Sequence, residues 1–260
     1  MKLLNLINLD KSEINLTRFP DGEPQISFPD EFDRKDSVKV ICRITFAEEL
    51  FILTQVGDIL DRQEIEWDLF ITYLMSMRMD RVMDFNRPFS LKVVCSILNT
   101  MNYRYVMILE PHSERTKGLL GTRCYPQKFN FESHLDVQSN IVFPDAGAYQ
   151  RYKILSNNWG HIVFNKVRDL ETGKIKEFSI GREVNCPTFI DDLCDAGGTF
   201  LGELKERYPD SKFEIIVCHA VNIEGLVKLC NNFDRVIITN SYCDYGYKPS
   251  NNLTVIDVCG

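Results

Sequence analysis

Short apolar runs alternate with longer amphipathic segments along most of the chain. The short runs are rich in β-branched and aromatic residues and are bounded by polar or turn-forming residues, which predicts strands. They are KLLNLIN, SVKVICRI, WDLFITYL, YRYVMILE, SNIVFPD, GHIVFNKV, CPTFIDD, KFEIIVCHA, DRVIITN and LTVIDV. Strands that alternate with helices predict an α/β fold with parallel sheets.

The longer segments carry apolar residues at the spacing of one helix face. They are FAEELFILTQVGDILDR, RPFSLKVVCSILNTM, AYQRYKILSNN, GGTFLGELKERYP and VNIEGLVKLCNNF. A polar connection that contains Pro and Gly, GTRCYPQKFNFESHLDVQ, divides the alternation into halves of similar size. We therefore predict two tandem Rossmann-like domains with mainly parallel sheets, residues 1–128 and 129–260.

Composition and charge limit the class of partner. The chain has 260 residues and is 44% hydrophobic, which is ample for a sizeable core. Its formal net charge is −7, which argues against non-specific binding to nucleic acid or to an anionic membrane. We expect neither partner, so an anionic substrate must be held by local basic groups.

Cysteine usage and the N-terminus indicate a cytoplasmic protein. The nine cysteines are scattered, form no C-x-x-C pair and fall in part within apolar runs such as FEIIVCHA, which predicts reduced and mostly buried thiols. The segment MKLLNLINLDKSEI has a short apolar run broken by Asn5, Asn8 and Asp10. It fits neither a signal peptide nor a membrane span.

Side chains with chemical potential stand where predicted strands end. His112 follows YRYVMILE, Asp145 follows the run NIVF, and Lys166 and Arg168 follow GHIVF. In open α/β sheets, ligands bind at the carboxyl ends of the strands. These residues are therefore candidates for a substrate site.

The stretch PTFIDDLCDAGGTF is the most informative of these strand ends. Its Gly-rich turn before a predicted helix exposes N–H groups that can hold a phosphate. Asp191 and Asp192 can accept hydrogen bonds from two vicinal hydroxyls or reach them through Mg²⁺. A diol together with a phosphate suggests a ribose 5-phosphate moiety. In the alternative interpretation, Asp195 is a helix N-cap and the glycines only turn the chain.

Several motifs together resemble one enzyme family. They are, in chain order, RFPDGE, MRMDR followed by RPFSLKVVCSIL, PHSE, FPDAGAYQR, NKVRD and FIDDLCDAGGTF. As an ordered set across nearly the whole chain they resemble the ribose-phosphate diphosphokinases, also called phosphoribosyl pyrophosphate synthetases, which have the type I phosphoribosyltransferase fold. The resemblance implies a homo-oligomer that uses Mg²⁺ to transfer pyrophosphate from ATP to the C1 hydroxyl of ribose 5-phosphate, with AMP leaving.

The resemblance also implies a role for each matched residue. The residues that would bind ATP are Phe19, Asp21, Glu23, Arg78 and Asp80, and those that would bind Mg²⁺ are His112 and Asp145. Lys166 and Arg168 would neutralise the transferring group on a catalytic flap, although NKVRDLETGKIKE also fits a solvated hairpin. The residues that would hold the sugar phosphate are Asp191, Asp192, Asp195, Ala196, Gly197, Gly198 and Thr199.

The chain departs from the family pattern at three places. Met79 replaces a usual Gln, a change that concerns the adenine contacts. The sequence ends at LTVIDVCG, where relatives usually continue into another helix and strand, so we expect assembly and allosteric control to differ. Ala196 and Gly197 stand where the phosphate loop has Thr and then Ala or Cys. A lost hydroxyl donor and a roomier loop suit a phosphodiester, which makes ADP-ribose, and with it NAD synthesis or salvage, an alternative acceptor and pathway.

Two further function classes compete with pyrophosphate transfer. A phosphoribosyltransferase would share IDDLCDAGGT but would not need RFPDGE or MRMDR. A non-catalytic regulatory homologue would be expected to lose the basic pair or the metal ligands, yet all four residues are present: His112, Asp145, Lys166 and Arg168.

Overall fold

The computed structural model describes residues 1–7, 14–30, 32, 37–163, 167–168, 175–177, 187–195, 211–246 and 250–259; for 167–168 and 175–177 only the backbone is described. Two compact units divide the chain. The first is Met1–Lys128 together with the chain end from Val258, and the second is Phe129–Asp257.

The sheet of the first unit has five parallel strands. They are β1 (Lys2–Asn5), β4 (Val38–Ile44), β5 (Trp67–Leu74), β6 (Val106–Leu109) and β7 (Cys124–Gln127), and they pair in the order β1-β4-β5-β6-β7. No residue of β5 is exposed, as expected for a strand of a parallel sheet that is covered on both faces.

The edge strand β7 corrects one interpretation of the sequence. The segment GTRCYPQKFNFESHLDVQ was interpreted as a connection between domains, but its residues Cys124–Gln127 pair with β6. Pro126 made this strand hard to predict, because Pro cannot donate to a ladder. A strand at the edge of a sheet tolerates that loss.

Three helices and a hairpin complete the first unit. They are α1 (Ala47–Arg62), α2 (Ser90–Leu98), α3 (Arg115–Leu120), and the antiparallel strands β2 (Asn15–Arg18) and β3 (Pro24–Ser27); a 3-10 turn spans Gly121–Arg123. Helix α1 lies close to the sheet at Gly57, where a Cβ would be 3.2 Å from the ring of Trp67. The sequence analysis missed the hairpin and α3, which are too short or too polar for a clear hydrophobic period.

The sheet of the second unit has six parallel strands. They are β8 (Asn140–Phe143), β9 (His161–Val163), β12 (Pro187–Cys194), β13 (Glu214–Ala220), β14 (Arg235–Thr239) and β15 (Leu253–Ile256), in the order β15-β14-β13-β12-β8-β9. Between β9 and β12, two short strands, β10 (Val167–Arg168) and β11 (Ile175–Glu177), form an antiparallel pair. The core beneath the sheet is rich in aromatic residues, among them Phe189, Phe213 and Phe233.

Two described helices belong to the second unit. Helix α4 (Ala146–Tyr152) continues as a 3-10 segment, Lys153–Asn157, and α5 (Ile223–Asn232) begins at Asn222, whose side chain accepts from Glu224 N and Gly225 N. A further 3-10 turn spans Phe131–His134. The helix predicted for GGTFLGELKERYP lies outside the described residues.

The observed architecture confirms the α/β class with mainly parallel sheets, and each apolar run assigned as a strand contains one. No disulfide joins the eight cysteines that the structure describes, and seven of them are buried. Among the described residues, no helix has the length and apolarity that crossing a bilayer requires.

Candidate functional site

Two neighbouring strands of the first unit end in rare backbone conformations. Ser76, after β5, has a φ of 64°, and Glu110, after β6, has a φ of 39°. Positive φ values are uncommon for residues other than glycine and cluster at functional sites. Each of these residues is followed two positions later by a predicted site residue, Arg78 or His112.

Arg78 and His112 line the same cavity, which has a volume of about 420 Å³. Its other lining residues are Met79, Asp80, Arg81, Met83, Arg87 and Pro88. The structure thus brings together two residues predicted to bind ATP and one predicted to bind Mg²⁺. We call this space the arginine cavity, because three guanidinium groups line it and suit it to a phosphorylated ligand.

Asp80 lines this cavity and binds Arg81, one of its arginines. It is only 2% exposed, and Arg81 donates from Nε to its Oδ1 at 2.7 Å and from Nη2 to its Oδ2 at 3.2 Å. Nη1 of Arg115 donates to the Asp80 carbonyl at 3.1 Å and lies 3.4 Å from Oδ1. Burial raises the pKa of Asp80, but hydrogen bonding and charge from the arginines outweigh it, so the pKa lies below its usual range.

The other predicted ATP-binding residues lie at the tip of the β2–β3 hairpin. Gly22 has a φ of 92°, and the carboxylate of Asp21 accepts from the N–H of Glu23 at 3.1 Å. Phe19 and Glu23 line a second cavity of about 430 Å³ beside α1, which shares no lining residue with the arginine cavity. Four of the five predicted ATP residues therefore line one or the other of these two cavities, and Asp21 lines neither of them.

Two contacts fix the hairpin on α1. The Gln55 amide donates from Nε2 to the carbonyl of Pro24 at 2.9 Å and accepts at Oε1 from the N–H of Ile26 at 3.0 Å. Arg18 forms a bidentate pair with Glu48 at 3.0 and 2.7 Å. Gln55 thus hydrogen-bonds a backbone C=O and a backbone N–H of β3, as a neighbouring strand would, and it keeps the tip in place.

In the second unit, the candidate carboxylates are part of β12. Asp191 and Asp192 were expected at the end of the strand, but pairing continues through Leu193 and Cys194 to β13. Asp191 is half-buried and Asp192 is 1% exposed. Two adjacent carboxylates at such a position need a compensating charge.

Arg151, on α4, supplies that charge. Its Nη2 donates to Oδ1 of Asp191 at 3.1 Å and to Oδ1 of Asp192 at 2.6 Å. Burial raises the pKa of Asp191, and the neighbouring Asp192 raises it further against the opposing effect of Arg151. Burial lowers the pKa of Arg151, but the two carboxylates outweigh it and keep the guanidinium charged. The three groups carry one net negative charge, which suits hydroxyl donors or a cation.

Asp145 begins the helix that carries Arg151. Its Oδ1 accepts from the N–H of Ala148 at 2.9 Å, as an N-cap does. A Cβ at Gly147 would lie 3.1 Å from that oxygen and 3.7 Å from Nη1 of Arg151, so the missing side chain keeps this region open. Because β8 pairs with β12, Asp145 and the carboxylate pair come from neighbouring strands.

The remaining predicted residues are only partly described. The backbone of Arg168 pairs antiparallel with that of Ile175; the role of this segment as a catalytic flap stays a prediction. Asp195 follows β12, with Nδ2 of Asn222 3.5 Å from its Oδ1. Lys166 and the loop residues Ala196, Gly197, Gly198 and Thr199 lie outside the described residues.

The sequence analysis missed Arg81, Arg87, Arg115 and Arg151. Arg81 and Arg151 lie within the quoted motifs MRMDR and FPDAGAYQR, so a search for basic residues inside these motifs would have found them. The contacts of Arg151 cross 40 and 41 positions of sequence and have no local pattern.

Comparisons with known proteins give sequence relatives and a matching fold. No protein-family model matches the chain. The chain is 22% identical over 277 residues to the ribose-phosphate pyrophosphokinase of Sulfurisphaera tokodaii, covering 98% of this chain and 92% of that protein. It is also 22% identical over 262 residues to the Bacillus subtilis enzyme of the same name, covering 92% and 80%.

A solved structure extends the likeness to the fold. The crystal structure of phosphoribosylpyrophosphate synthetase from Mycobacterium smegmatis matches with a TM-score of 0.77 and 19% identity, covering 95% of this chain and 86% of that one. The chain is therefore similar in sequence to ribose-phosphate pyrophosphokinases and has the fold of a phosphoribosylpyrophosphate synthetase.

Proposed function

We propose that the protein transfers the pyrophosphate group of ATP to the C1 hydroxyl of a ribose 5-phosphate moiety and releases AMP. One observation carries the proposal: the same chain has an arginine-lined cavity in one unit and a braced carboxylate pair in the other. A polyphosphate requires the first kind of site and a vicinal diol the second. The curated relatives bear the name of this activity.

The first unit would bind the donor. Arg78, Arg81 and Arg87 would bind the phosphates of ATP, and the hydrogen bond to Asp80 would hold Arg81 in place. Phe19, Asp21 and Glu23 would bind the nucleoside, since the hairpin tip presents the exposed ring of Phe19 beside two carboxylates. This assignment includes Asp80 as a positioning residue, because both of its carboxylate oxygens accept from Arg81.

The second unit would bind the acceptor. Asp191 and Asp192 would accept hydrogen bonds from the two ring hydroxyls of the ribose, and the loop Asp195–Thr199 would hold its 5-phosphate through backbone N–H groups. The assignment of the loop rests on the sequence FIDDLCDAGGTF. The braced pair is consistent with the sugar end of that assignment.

The described side chains fit a Mg²⁺ ion that takes most of its ligands from the substrate. The described residues contain no group of three or more His, Cys, Asp or Glu side chains that could hold a metal. Mg²⁺ commonly takes only one or two protein ligands and completes its shell with phosphates and water. His112 would be such a ligand in the first unit and Asp145 would be one in the second, and Mg²⁺ would neutralise charge on the phosphates.

The chemical step requires alignment and neutralisation more than a strong base. The C1 hydroxyl oxygen bonds to the β-phosphorus of ATP, the bond from that phosphorus to the α-β bridging oxygen breaks, and the hydroxyl proton passes to solvent. Lys166 and Arg168 would stabilise the charge that spreads over the transferring group, and the arginine cavity would hold the rest of the nucleotide.

An acceptor panel tests this function. The protein is incubated with ATP and Mg²⁺ and with ribose 5-phosphate, 2-deoxyribose 5-phosphate or ADP-ribose, and AMP and the product mass are followed. We expect AMP with the ribose compounds, much less with the deoxy sugar, and none with excess EDTA. Turnover of phosphoribosyl pyrophosphate with a nucleobase would instead indicate a phosphoribosyltransferase, and no turnover at all a regulatory homologue.

ADP-ribose is a second candidate acceptor. Ala196 and Gly197 take places where the family loop has a hydroxyl donor, and a phosphodiester has fewer terminal oxygens to satisfy than a monoester. If ADP-ribose is preferred, Ala196→Thr should shift the ratio of kcat/KM toward ribose 5-phosphate by about tenfold. A wild type that uses only ribose 5-phosphate, or a ratio that the substitution leaves unchanged, would contradict the argument from the roomier loop.

A homo-oligomer and a cytoplasmic location remain predictions from the sequence. Light scattering of the purified protein measures the first, and a fluorescent fusion in cells tests the second. A stable monomer with full activity would contradict the predicted assembly.

A further inference from the structure

We infer that Arg151 is a positioning residue for the acceptor sugar: it holds the carboxylates of Asp191 and Asp192 in one fixed arrangement that receives two hydroxyls together. The inference rests on the proposed function and adds a residue to its acceptor site. Arg151 acts through the carboxylates and is not expected to touch the reacting atoms.

The geometry of one nitrogen carries the inference. Nη2 of Arg151 bonds to Oδ1 of both carboxylates, at 3.1 and 2.6 Å, so one atom links these two oxygens. The side chain of Arg151 is 19% exposed, and those of Asp191 and Asp192 are 26% and 2% exposed. A further bond from Asp192 N–H to Oδ1 of Asp191, at 2.9 Å, fixes the same oxygen from the backbone.

The elements around Arg151 fix its position. Helix α4 starts at the cap formed by Asp145, and Gly147 leaves the space next to both Oδ1 of Asp145 and Nη1 of Arg151. The strand before the helix pairs with β12, with Ile141 opposite Thr188 and Val142 opposite Phe189. The helix is thereby tied to the strand that carries the carboxylates.

The charge balance shows why the sugar should depend on this contact. Two adjacent carboxylates repel each other, and without a shared cation they would turn apart. A diol needs both acceptors at one spacing, whereas ATP makes no use of them in the proposed site. Loss of Arg151 should therefore weaken the acceptor selectively.

The test compares Arg151→Gln and Arg151→Lys with the wild type. The acceptor is whichever of ribose 5-phosphate and ADP-ribose the wild type uses better. The measurements are kcat, KM for the acceptor, KM for ATP, the melting temperature, and direct binding of the same acceptor by calorimetry. Arg235→Gln is the matched control, because Arg235 also pairs with two carboxylates of this unit, Glu214 and Asp136, but stands at the amino end of β14.

We expect Arg151→Gln to raise the acceptor KM and the acceptor Kd by about 30-fold, with the ATP KM within about twofold of wild type. Arg151→Lys should recover part of the affinity, since it restores the charge without the planar fork. Arg235→Gln should leave both KM values unchanged.

Other outcomes overturn the inference. If Arg151→Gln lowers only the melting temperature and the amount of active enzyme, with both KM values unchanged, Arg151 is structural. If that variant does not fold, the KM values of Arg151→Lys decide, and an equal change for ATP and acceptor contradicts the assignment. A wild type that neither binds an acceptor nor releases AMP overturns the proposed function itself, whereas an active wild type with unaffected variants overturns this inference alone.

Discussion

The charged clusters of the two units have opposite signs but the same construction. In the first unit the buried carboxylate of Asp80 lies among the arginines Arg81 and Arg115. In the second unit the guanidinium of Arg151 lies between the carboxylates of Asp191 and Asp192. In each case one charged side chain contacts two groups of the opposite sign, which would otherwise repel each other.

The sign of the surplus charge distinguishes the ligands that the two clusters suit. The first cluster has a net positive charge beside a cavity, as a polyphosphate requires, and the second a net negative charge, as hydroxyl donors require. The pKa values reflect the same difference. The arginines lower the pKa of Asp80 despite its burial, whereas burial and a neighbouring carboxylate raise that of Asp191.

Removing a member of the negative pair should have the largest effect. Asp192→Asn takes away a charged acceptor in a nearly inaccessible position, so kcat/KM for the acceptor should fall about 100-fold or more. Steady-state kinetics with both substrates measures it. Glu214→Gln is the control, because Glu214 also pairs with an arginine, Arg235, but stands at the amino end of its strand, β13. Equal losses in both variants would remove Asp192 from the acceptor site.

Neutralising the buried charge of the first cluster should act on stability as well as on the donor site. Asp80→Asn leaves Arg81 and Arg115 without their shared counter-charge, and the free energy of unfolding should fall by about 2 kcal/mol at neutral pH. Because the folded pKa of Asp80 is lowered, its contribution is present above the unfolded pKa of about 3.9 and is lost as the pH falls through the folded value.

Urea denaturation at several pH values measures this effect. The exposed pair of Asp58 and Arg62 provides the control variant, Asp58→Asn, which should change little. A difference between wild type and Asp80→Asn that stays constant from pH 7 to pH 2 would contradict the ionised role of Asp80.

Truncating one arginine of the cavity should weaken the donor alone. Arg81→Ala removes a guanidinium that lines the cavity, so KM for ATP should rise about tenfold while KM for the acceptor stays near wild type. Lys92→Ala, on the exposed face of α2, is the control. If KM for the acceptor rose instead, the assignment of ATP to the first cluster and of the acceptor to the second would be wrong.

The smallest expected effect is a gain in stability. Asp191→Asn removes a carboxylate whose folded pKa is raised, so the folded state should gain about 1 kcal/mol at neutral pH while acceptor binding weakens. The raised pKa means that the folded state takes up this proton first. The penalty therefore appears as the pH rises above the unfolded pKa of about 3.9, and the gain of the variant should vanish below it.

Thermal melts of wild type and Asp191→Asn at pH 7 and pH 3.5 compare the two conditions. A variant that is less stable than wild type at pH 7 would show that the ion pair with Arg151 outweighs burial and repulsion.

Periodic patterns predicted the main strands because parallel strands are covered on both faces and must be apolar throughout, as β5 shows. They did not predict β2, whose residues are mostly exposed, or β7, which contains Pro126. These two strands are stabilised mainly by pairing with neighbours, and side-chain hydrophobicity carries no record of such pairing. The candidate site divides in the same way: His112 and Asp145 follow strands that the pattern predicted, whereas Arg151, which binds Asp191 and Asp192, had no periodic signal.

The sequence by itself determined the α/β class, the order of the strands along the chain, and the residue types at their ends, since each depends on local composition and period. The tertiary structure decided which polar and charged groups come into contact. Gln55 reaches the hairpin across 29 and 31 positions, and Arg151 reaches its carboxylates across 40 and 41. Hydrogen bonds and ion pairs require separations near 3 Å, and only the packing of helices against sheets brings such distant residues so close.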